Sequence, residues 1–183
     1  MNELRKITYA LKLISTFAPK IFEMKYKRLT NDELAELETE FIRFLGTMQI
    51  TASDWEKMKE ANPKKVEELI EVFSDLVYEK TLKNIEYLEF KTPNDIKTFH
   101  CRESDIKMMG LMVEGNQAFD FTKNLGSEEM TKLVRDTNSK VSLYSAEKEY
   151  KGSRNEELFK MLENGCLISK DGALYKLLTG LKQ

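Results

Sequence analysis

The chain contains few chemically reactive side chains and few residues that break regular structure. Its 183 residues include one histidine (His100), two cysteines (Cys101 and Cys166), three prolines and eight glycines. Two cysteines are too few for a disulfide framework, and free thiols are typical of a reducing compartment, so we expect a cytoplasmic protein. The scarcity of proline and glycine argues against long disordered linkers. The sequence has no run of about 18 apolar residues, so it predicts no transmembrane segment.

An excess of charge of one sign is also missing. Lysine and arginine number 29 and aspartate and glutamate 31, for a net charge of -2. Such a balance gives the chain as a whole no attraction to a phosphate backbone. The sequence also lacks a glycine-rich phosphate loop, a cluster with metal-ligand spacing and a nucleophile elbow. It therefore favours a protein without catalytic activity, and it indicates no cofactor and no bound metal ion.

The first 23 residues differ from the rest of the chain. Their apolar residues recur at the spacing of one helix face: Leu4, Ile7, Leu11 and Ile14. We call these four residues the leader stripe. The pattern predicts an amphipathic N-terminal extension over residues 1–23, followed by a single domain over residues 24–183. Translation from Met24 instead of Met1 is the alternative explanation of the extension.

The domain itself begins with helical patterns and continues with strand patterns. Thr30 and Glu33 form a capping box at the first helix, and Asn62-Pro63 is a typical start of a long one. Alternating, closely spaced segments follow from residue 85 onward, and short helical patterns close the chain. These features predict an α+β fold, in which N-terminal helices pack on a small, mainly antiparallel sheet and short helices follow.

Several dispersed motifs resemble a known family. They are Met24-Lys-Tyr-Lys-Arg-Leu-Thr30, Glu40-Phe-Ile-Arg-Phe-Leu45, Phe73-Ser-Asp-Leu-Val-Tyr-Glu79, Arg154-Asn155 and Leu174-Tyr175-Lys176. Over residues 24–178 the chain resembles a domain of unknown function found in small uncharacterised proteins of Bacteroidota. The resemblance implies a bacterial cytoplasmic protein with no assigned reaction, and it carries over no catalytic residue.

Acidic side chains suggest one candidate site. Asp75 and Glu79 lie four residues apart on one face of the predicted long helix, and Glu86 follows shortly after. Paired carboxylates perform acid–base chemistry or hold a hard cation when burial shifts their pKa values. The alternative is a solvated helix flank with local ion pairs.

A short basic run suggests a second candidate site. Its members, Lys25, Tyr26, Lys27 and Arg28, combine cations that contact phosphates with a ring that stacks on a base. The alternative is a solvated segment that leads into the first helix. His100 and Cys101 are neighbours on a predicted strand, where their side chains point to opposite faces, so they do not form a thiolate–imidazole pair.

Three functional hypotheses follow. The first is a non-catalytic protein-interaction module, which binds a protein partner or a second copy of itself. The alternative is a nucleic-acid-binding or ribosome-associated protein that uses the basic run. The third is a carboxylate-dependent hydrolase that uses Asp75, Glu79 and Glu86.

The leader stripe generates the first testable prediction. A helix this short is marginal in water alone, so its apolar face must be buried against something. We expect that contact to be intermolecular, and that replacing Leu11 and Ile14 together by Asp abolishes self-association or partner capture while the domain stays folded. Sedimentation and pull-down experiments measure this. Identical results before and after the change would show that the leader is not the contact surface.

Overall fold

The computed structural model describes residues 24–114, 120–123 and 140–182, and the single residues Glu128 and Lys132. The leader stripe lies outside these residues. The chain forms two compact units, of which the first ends at Lys80 and the second begins at Thr81. Each unit has its own hydrophobic core. The separate leader, the single domain over residues 24–183 and the packing of the N-terminal helices on the sheet all stay predictions.

Four helices begin the described chain: α1 Asn31–Glu36, α2 Glu38–Thr47, α3 Ala52–Ala61 and α4 Pro63–Lys83. The predicted capping box is present, since Thr30 Oγ1 accepts a hydrogen bond from the Glu33 amide and the Glu33 carboxylate accepts one from the Thr30 amide. Thr51 and Asp54 form a second capping box, at the start of α3. None of the helices in the described residues is long and apolar enough to cross a membrane.

Aromatic side chains form the centre of the first unit. Phe73 from α4 meets Phe41 from α2 edge-on, with ring centroids 5.0 Å apart. Trp55 from α3 meets the same Phe41 ring at 5.4 Å and 78°. Such edge-to-face pairs stabilise a core beyond the area that they bury. Three helices therefore converge on one ring.

One antiparallel sheet organises the second unit. Its strands, as far as the chain is described, are β1 Tyr87–Lys91, β2 Asp95–Cys101, β3 Asp105–Glu114, β4 Lys140–Glu149 and β5 Leu167–Ser169, with the spatial order β4-β3-β2-β1-β5. Among the described residues after β4, helices α5 Arg154–Glu163 and α6 Ala173–Leu181 flank the last strand. The α+β class and the antiparallel sheet are thus confirmed.

The predicted order of elements is wrong at the C-terminal end. The last strand does not precede the short helices, because β5 lies between α5 and α6 and pairs with β1. The reason is a sharp stop after α5. Gly165 adopts a φ of 91°, and its amide donates a hydrogen bond to the Leu162 carbonyl at 2.9 Å. This left-handed residue ends the helix and returns the chain along β1.

The register of the sheet separates two faces. Thr98 pairs with Met109, and Ile96 pairs with Leu111, so these four side chains share one face. Helix α6 covers that face with Leu178, which is fully buried. On the opposite face lie further buried side chains: Leu88, Cys101 and Ile106. The sheet is therefore apolar on both sides.

Arg154, the first residue of α5, is bound to backbone instead of to a carboxylate. Its guanidinium donates hydrogen bonds to four carbonyl oxygens of the second unit, those of Leu82, Ile85, Cys101 and Arg102. The distances to Leu82, Cys101 and Arg102 are 3.0, 3.1 and 3.1 Å. One side chain therefore joins the end of α4, the segment before β1, the end of β2 and the start of α5.

Gly110 provides a test of the sheet packing. The ring of Tyr144 lies where a Cβ at Gly110 would stand, and its hydroxyl donates to Asp95 Oδ1 at 2.5 Å. Gly110→Ala should displace this ring and destabilise the protein by roughly 1–3 kcal/mol, which thermal or urea unfolding measures. The control is Gly46→Ala in α2, where an added Cβ meets no described atom within 4 Å. Gly46→Ala should stabilise the protein by about 0.5–1 kcal/mol. Equal effects of the two changes would contradict this packing.

Candidate functional site

The two predicted candidate sites meet in the first unit. Asp75, on α4, accepts the backbone amides of Lys25 and Tyr26, at 2.8 and 3.0 Å, with one carboxylate oxygen each. Glu79, one turn further, accepts the Tyr26 hydroxyl at 2.5 Å and the Lys25 ammonium at 3.1 Å. We call this arrangement the α4 clamp. The carboxylates therefore hold a segment of their own chain.

Tyr26 is the buried centre of the clamp. Its side chain is 9% exposed, and its ring lies 5.9 Å from that of Tyr78. Burial, together with the hydrogen bond to Glu79, raises the pKa of Tyr26 to about 12. The phenol therefore stays protonated at neutral pH and keeps donating to Glu79. In this position the ring packs inside the unit and is not presented to solvent as a stacking surface.

The remaining members of the basic run also contact α4. Arg28 forms an ion pair with Glu67, and the Lys27 ammonium lies 5.9 Å from the centre of the Tyr78 ring. Together with Lys25, these cations are placed beside acidic and aromatic partners of the same unit. The basic run thus leads into α1 and is bound by α4, and its Tyr26 is buried, not solvated.

Glu86 has a different environment from the other two candidate carboxylates. It is exposed, it follows the end of α4, and its carbonyl accepts the Cys101 amide at 2.7 Å. Within the ranges that the structure describes, no three His, Cys, Asp or Glu side chains are grouped to hold a metal ion. Of the three candidate carboxylates, Asp75 and Glu79 therefore make the anchoring contacts of the α4 clamp, and Glu86 takes part through its backbone carbonyl in a contact with Cys101.

The thiols and the histidine occupy packed positions. Burial raises the pKa of Cys101 to about 12, and burial also raises that of Cys166, so both thiols are protonated at neutral pH. The imidazole of His100 stacks on Tyr87, with centroids 4.7 Å apart. Burial lowers its pKa, and the nearby Arg102 cation acts in the same direction. The ring is therefore neutral near pH 7.

Among the described residues of the second unit, those of the short strand β5 carry the most exposed large apolar side chains. Leu167 is 62% exposed and Ile168 49% exposed. In the described chain β5 has one neighbour, β1, so its other side forms an edge of the sheet. Because neighbouring side chains alternate, Leu167 and Ile168 extend from opposite faces of this edge. We call these two residues and their strand the β5 edge.

The opposite edge of the sheet has a different character. Strand β4 carries four charged residues along its length: Lys140, Glu147, Lys148 and Glu149. Charged side chains on an edge strand discourage pairing with other chains. The sequence of β5, Leu-Ile-Ser, contains no charge. Of the two edges, β5 is thus the one that has no charged side chain to repel a partner strand.

Sequence reasoning missed the β5 edge as a surface. An apolar pair on a short strand is usually buried, and nothing local marks Leu167 and Ile168 as exposed. Their exposure follows from the position of β5 beside β1, which involves residues about 80 positions earlier.

The α4 clamp generates a prediction about stability. Asp75→Asn leaves one carbonyl oxygen for the two amides of Lys25 and Tyr26, so we expect a loss of about 1–2 kcal/mol in the free energy of unfolding. The matched control is Glu68→Gln on the same helix, which removes a surface ion pair with Lys65 and should change stability by less than about 0.5 kcal/mol. Urea unfolding measures both. An Asp75→Asn effect no larger than the control would rule out an anchoring role for Asp75.

Comparison with known proteins gives a family and no activity. A sequence model of a family of unknown function, DUF6495, matches residues 24–183. No curated protein and no solved structure matches the chain. The match covers most of the chain and confirms the membership predicted for residues 24–178. The chain therefore belongs to this family of unknown function, DUF6495.

Proposed function

We propose that the protein is a non-catalytic interaction module of the cytoplasm, and that the β5 edge is its binding surface. The observation that carries this proposal is the pair of exposed apolar side chains, Leu167 and Ile168, on an uncharged edge strand. An extended segment that pairs with such an edge gains main-chain hydrogen bonds, and alternate side chains supply specificity. The two free thiols support a reducing compartment.

The size of the edge sets the strength of the contact. Full burial of a leucine or isoleucine is worth roughly 1.5–3 kcal/mol, and about half of each side chain is exposed, so the pair contributes about 2–3 kcal/mol. A few main-chain hydrogen bonds add about 0.5–1.5 kcal/mol each before the loss of translational freedom is counted. The β5 edge alone therefore supports a weak, reversible interaction.

The contacts of the basic run favour this proposal over nucleic-acid binding. Lys25 and Arg28 form ion pairs with Glu79 and Glu67, and Tyr26 is buried. A phosphate would have to compete with carboxylates of the same unit for these cations. The hydrolase hypothesis meets a similar obstacle, because Asp75 and Glu79 accept hydrogen bonds from Lys25 and Tyr26.

Matched exposed residues allow a direct test. Leu167 on β5 and Ile42 on α2 are 62% and 60% exposed, so replacing either by Lys changes the surface charge and apolar area by similar amounts. We expect Leu167→Lys to remove the captured proteins from a pull-down at physiological salt, and Ile42→Lys to retain them. The captured set should be the same with and without nuclease.

Two results would contradict the proposal. If the Leu167→Lys protein still captures the same proteins, the β5 edge is not the binding surface. Capture that disappears on nuclease treatment or declines steeply with salt would instead favour the nucleic-acid hypothesis. Circular dichroism of each variant excludes unfolding as the cause of a loss.

A further inference from the structure

We propose that His100 makes the packing of helix α6 on the sheet depend on pH, and that protonation of its imidazole opens the first turn of this helix. Three rings meet at this place. The imidazole on β2 stacks on Tyr87 of β1, with centroids 4.7 Å and planes 17° apart, and Tyr175 of α6 contacts the same imidazole with centroids 5.4 Å apart. The single histidine of the chain therefore lies between the sheet and the helix that covers it.

Tyr87 connects the three rings to the turn that begins α6. Its ring lies against Gly172, where an added Cβ would stand 2.5 Å from a ring carbon. Gly172 is the N-cap of α6 and has a φ of 62°, a left-handed conformation that suits glycine. The Lys176 ammonium of the first turn lies 5.4 Å from the centre of the Tyr87 ring. A displacement of the rings therefore acts on the start of α6.

Protonation would place like charges side by side. Lys107 on β3 lies directly opposite His100, and like charges directly opposite each other destabilise a sheet. The nearby carboxylates already bind cations, since Glu147 pairs with Arg102 at 2.7 Å and Asp105 pairs with the same guanidinium. The charged groups around the three rings are Glu86, Arg102, Asp105, Lys107, Glu147 and Lys176.

The balance of these effects sets the direction of the pH dependence. Burial lowers the pKa of His100 most, Arg102 lowers it further and Lys107 adds to this, whereas Glu86 and Asp105 act in the opposite direction. When α6 moves away, the imidazole regains water and its pKa returns toward the ordinary value of about 6.5. As the pH falls through that value, the open form takes up the proton first and gains population, until the pKa of the closed form is reached.

The first turn of α6 is the element that can respond. Strand β2 is paired on both sides, by β1 and β3, so the backbone of His100 is held in the middle of the sheet. The later part of α6 is fixed by Leu178, which is fully buried. Displacement of Tyr175 together with the first turn therefore returns water to the imidazolium without breaking a strand pair.

Amide hydrogen exchange of the full chain tests this inference. The reporter is the Lys176 amide, which donates to the Gly172 carbonyl at 3.0 Å. His100→Phe keeps a planar ring and does not titrate, so the ratio of Lys176 protection in the unchanged protein to that in the variant cancels the intrinsic pH dependence of exchange. We expect this ratio to fall by about twofold or more from about pH 7.5 to about pH 5.5, while the ratio for the β3 amides that donate to β2 stays constant. His100→Gln provides a second comparison of the same kind.

Two matched lysines test the cause. Lys107 and Lys97 each form one ion pair, and their side chains are 41% and 38% exposed, but Lys97 lies on the opposite face of the sheet from His100. Lys107→Gln should reduce the pH effect on the Lys176 amide, because it removes the cation opposite the imidazole. Lys97→Gln should leave that effect unchanged.

Four results would contradict the inference. A Lys176 ratio that is the same at both pH values, in the comparisons with His100→Phe and His100→Gln, would overturn it. So would an NMR titration of the unchanged protein in which His100 has a pKa of about 6.5 or above. An equal loss of protection in β3 would show that protonation destabilises the whole sheet, and would reject the opening of α6. Equal effects of Lys107→Gln and Lys97→Gln would reject the pair of like charges as the cause.

Discussion

The guanidinium of Arg154 is the interaction on which the second unit depends. Backbone carbonyls at the ends of buried elements need donors, and an unmet one costs about 1–3 kcal/mol. Arg154 supplies donors to four of them at once, at Leu82, Ile85, Cys101 and Arg102. A planar guanidinium suits this task because its five N–H groups point outward in fixed directions. The residue therefore holds together the end of α4, the β2–β3 turn and the start of α5.

The position of β5 follows from that anchor. Helix α5 begins at Arg154, buries Leu158 completely, and stops at Gly165, after which the chain pairs with β1. The helix thus determines where the next three residues enter the sheet. Had α5 begun elsewhere, Leu167 and Ile168 would not lie on the outer side of β1. The β5 edge is therefore a consequence of Arg154, which lies at the other end of α5.

Local features of the fold could be predicted from the sequence, and distant ones could not. The capping box of Thr30 and Glu33 involves residues three positions apart, so a short motif identifies it. The spacing of Asp75 and Glu79 on one helix face could also be predicted, but the residues that they bind lie about 50 positions away and no local pattern indicates them. In the sequence, Arg154 appeared within a family motif. Its acceptors are main-chain carbonyls 52 to 72 residues distant, and every residue has such a carbonyl, so no side-chain pattern identifies them.

Amide hydrogen exchange in Arg154→Lys tests this dependence most directly. Lysine keeps the positive charge and loses the planar arrangement of donors, so α5 should loosen at its start while the strands of the central sheet remain paired. We predict that the β5 amides that donate to β1 exchange about tenfold faster or more, under conditions where those of β3 keep their protection. Unchanged exchange in β5 in the Arg154→Lys protein would contradict the claim that this guanidinium positions the β5 edge.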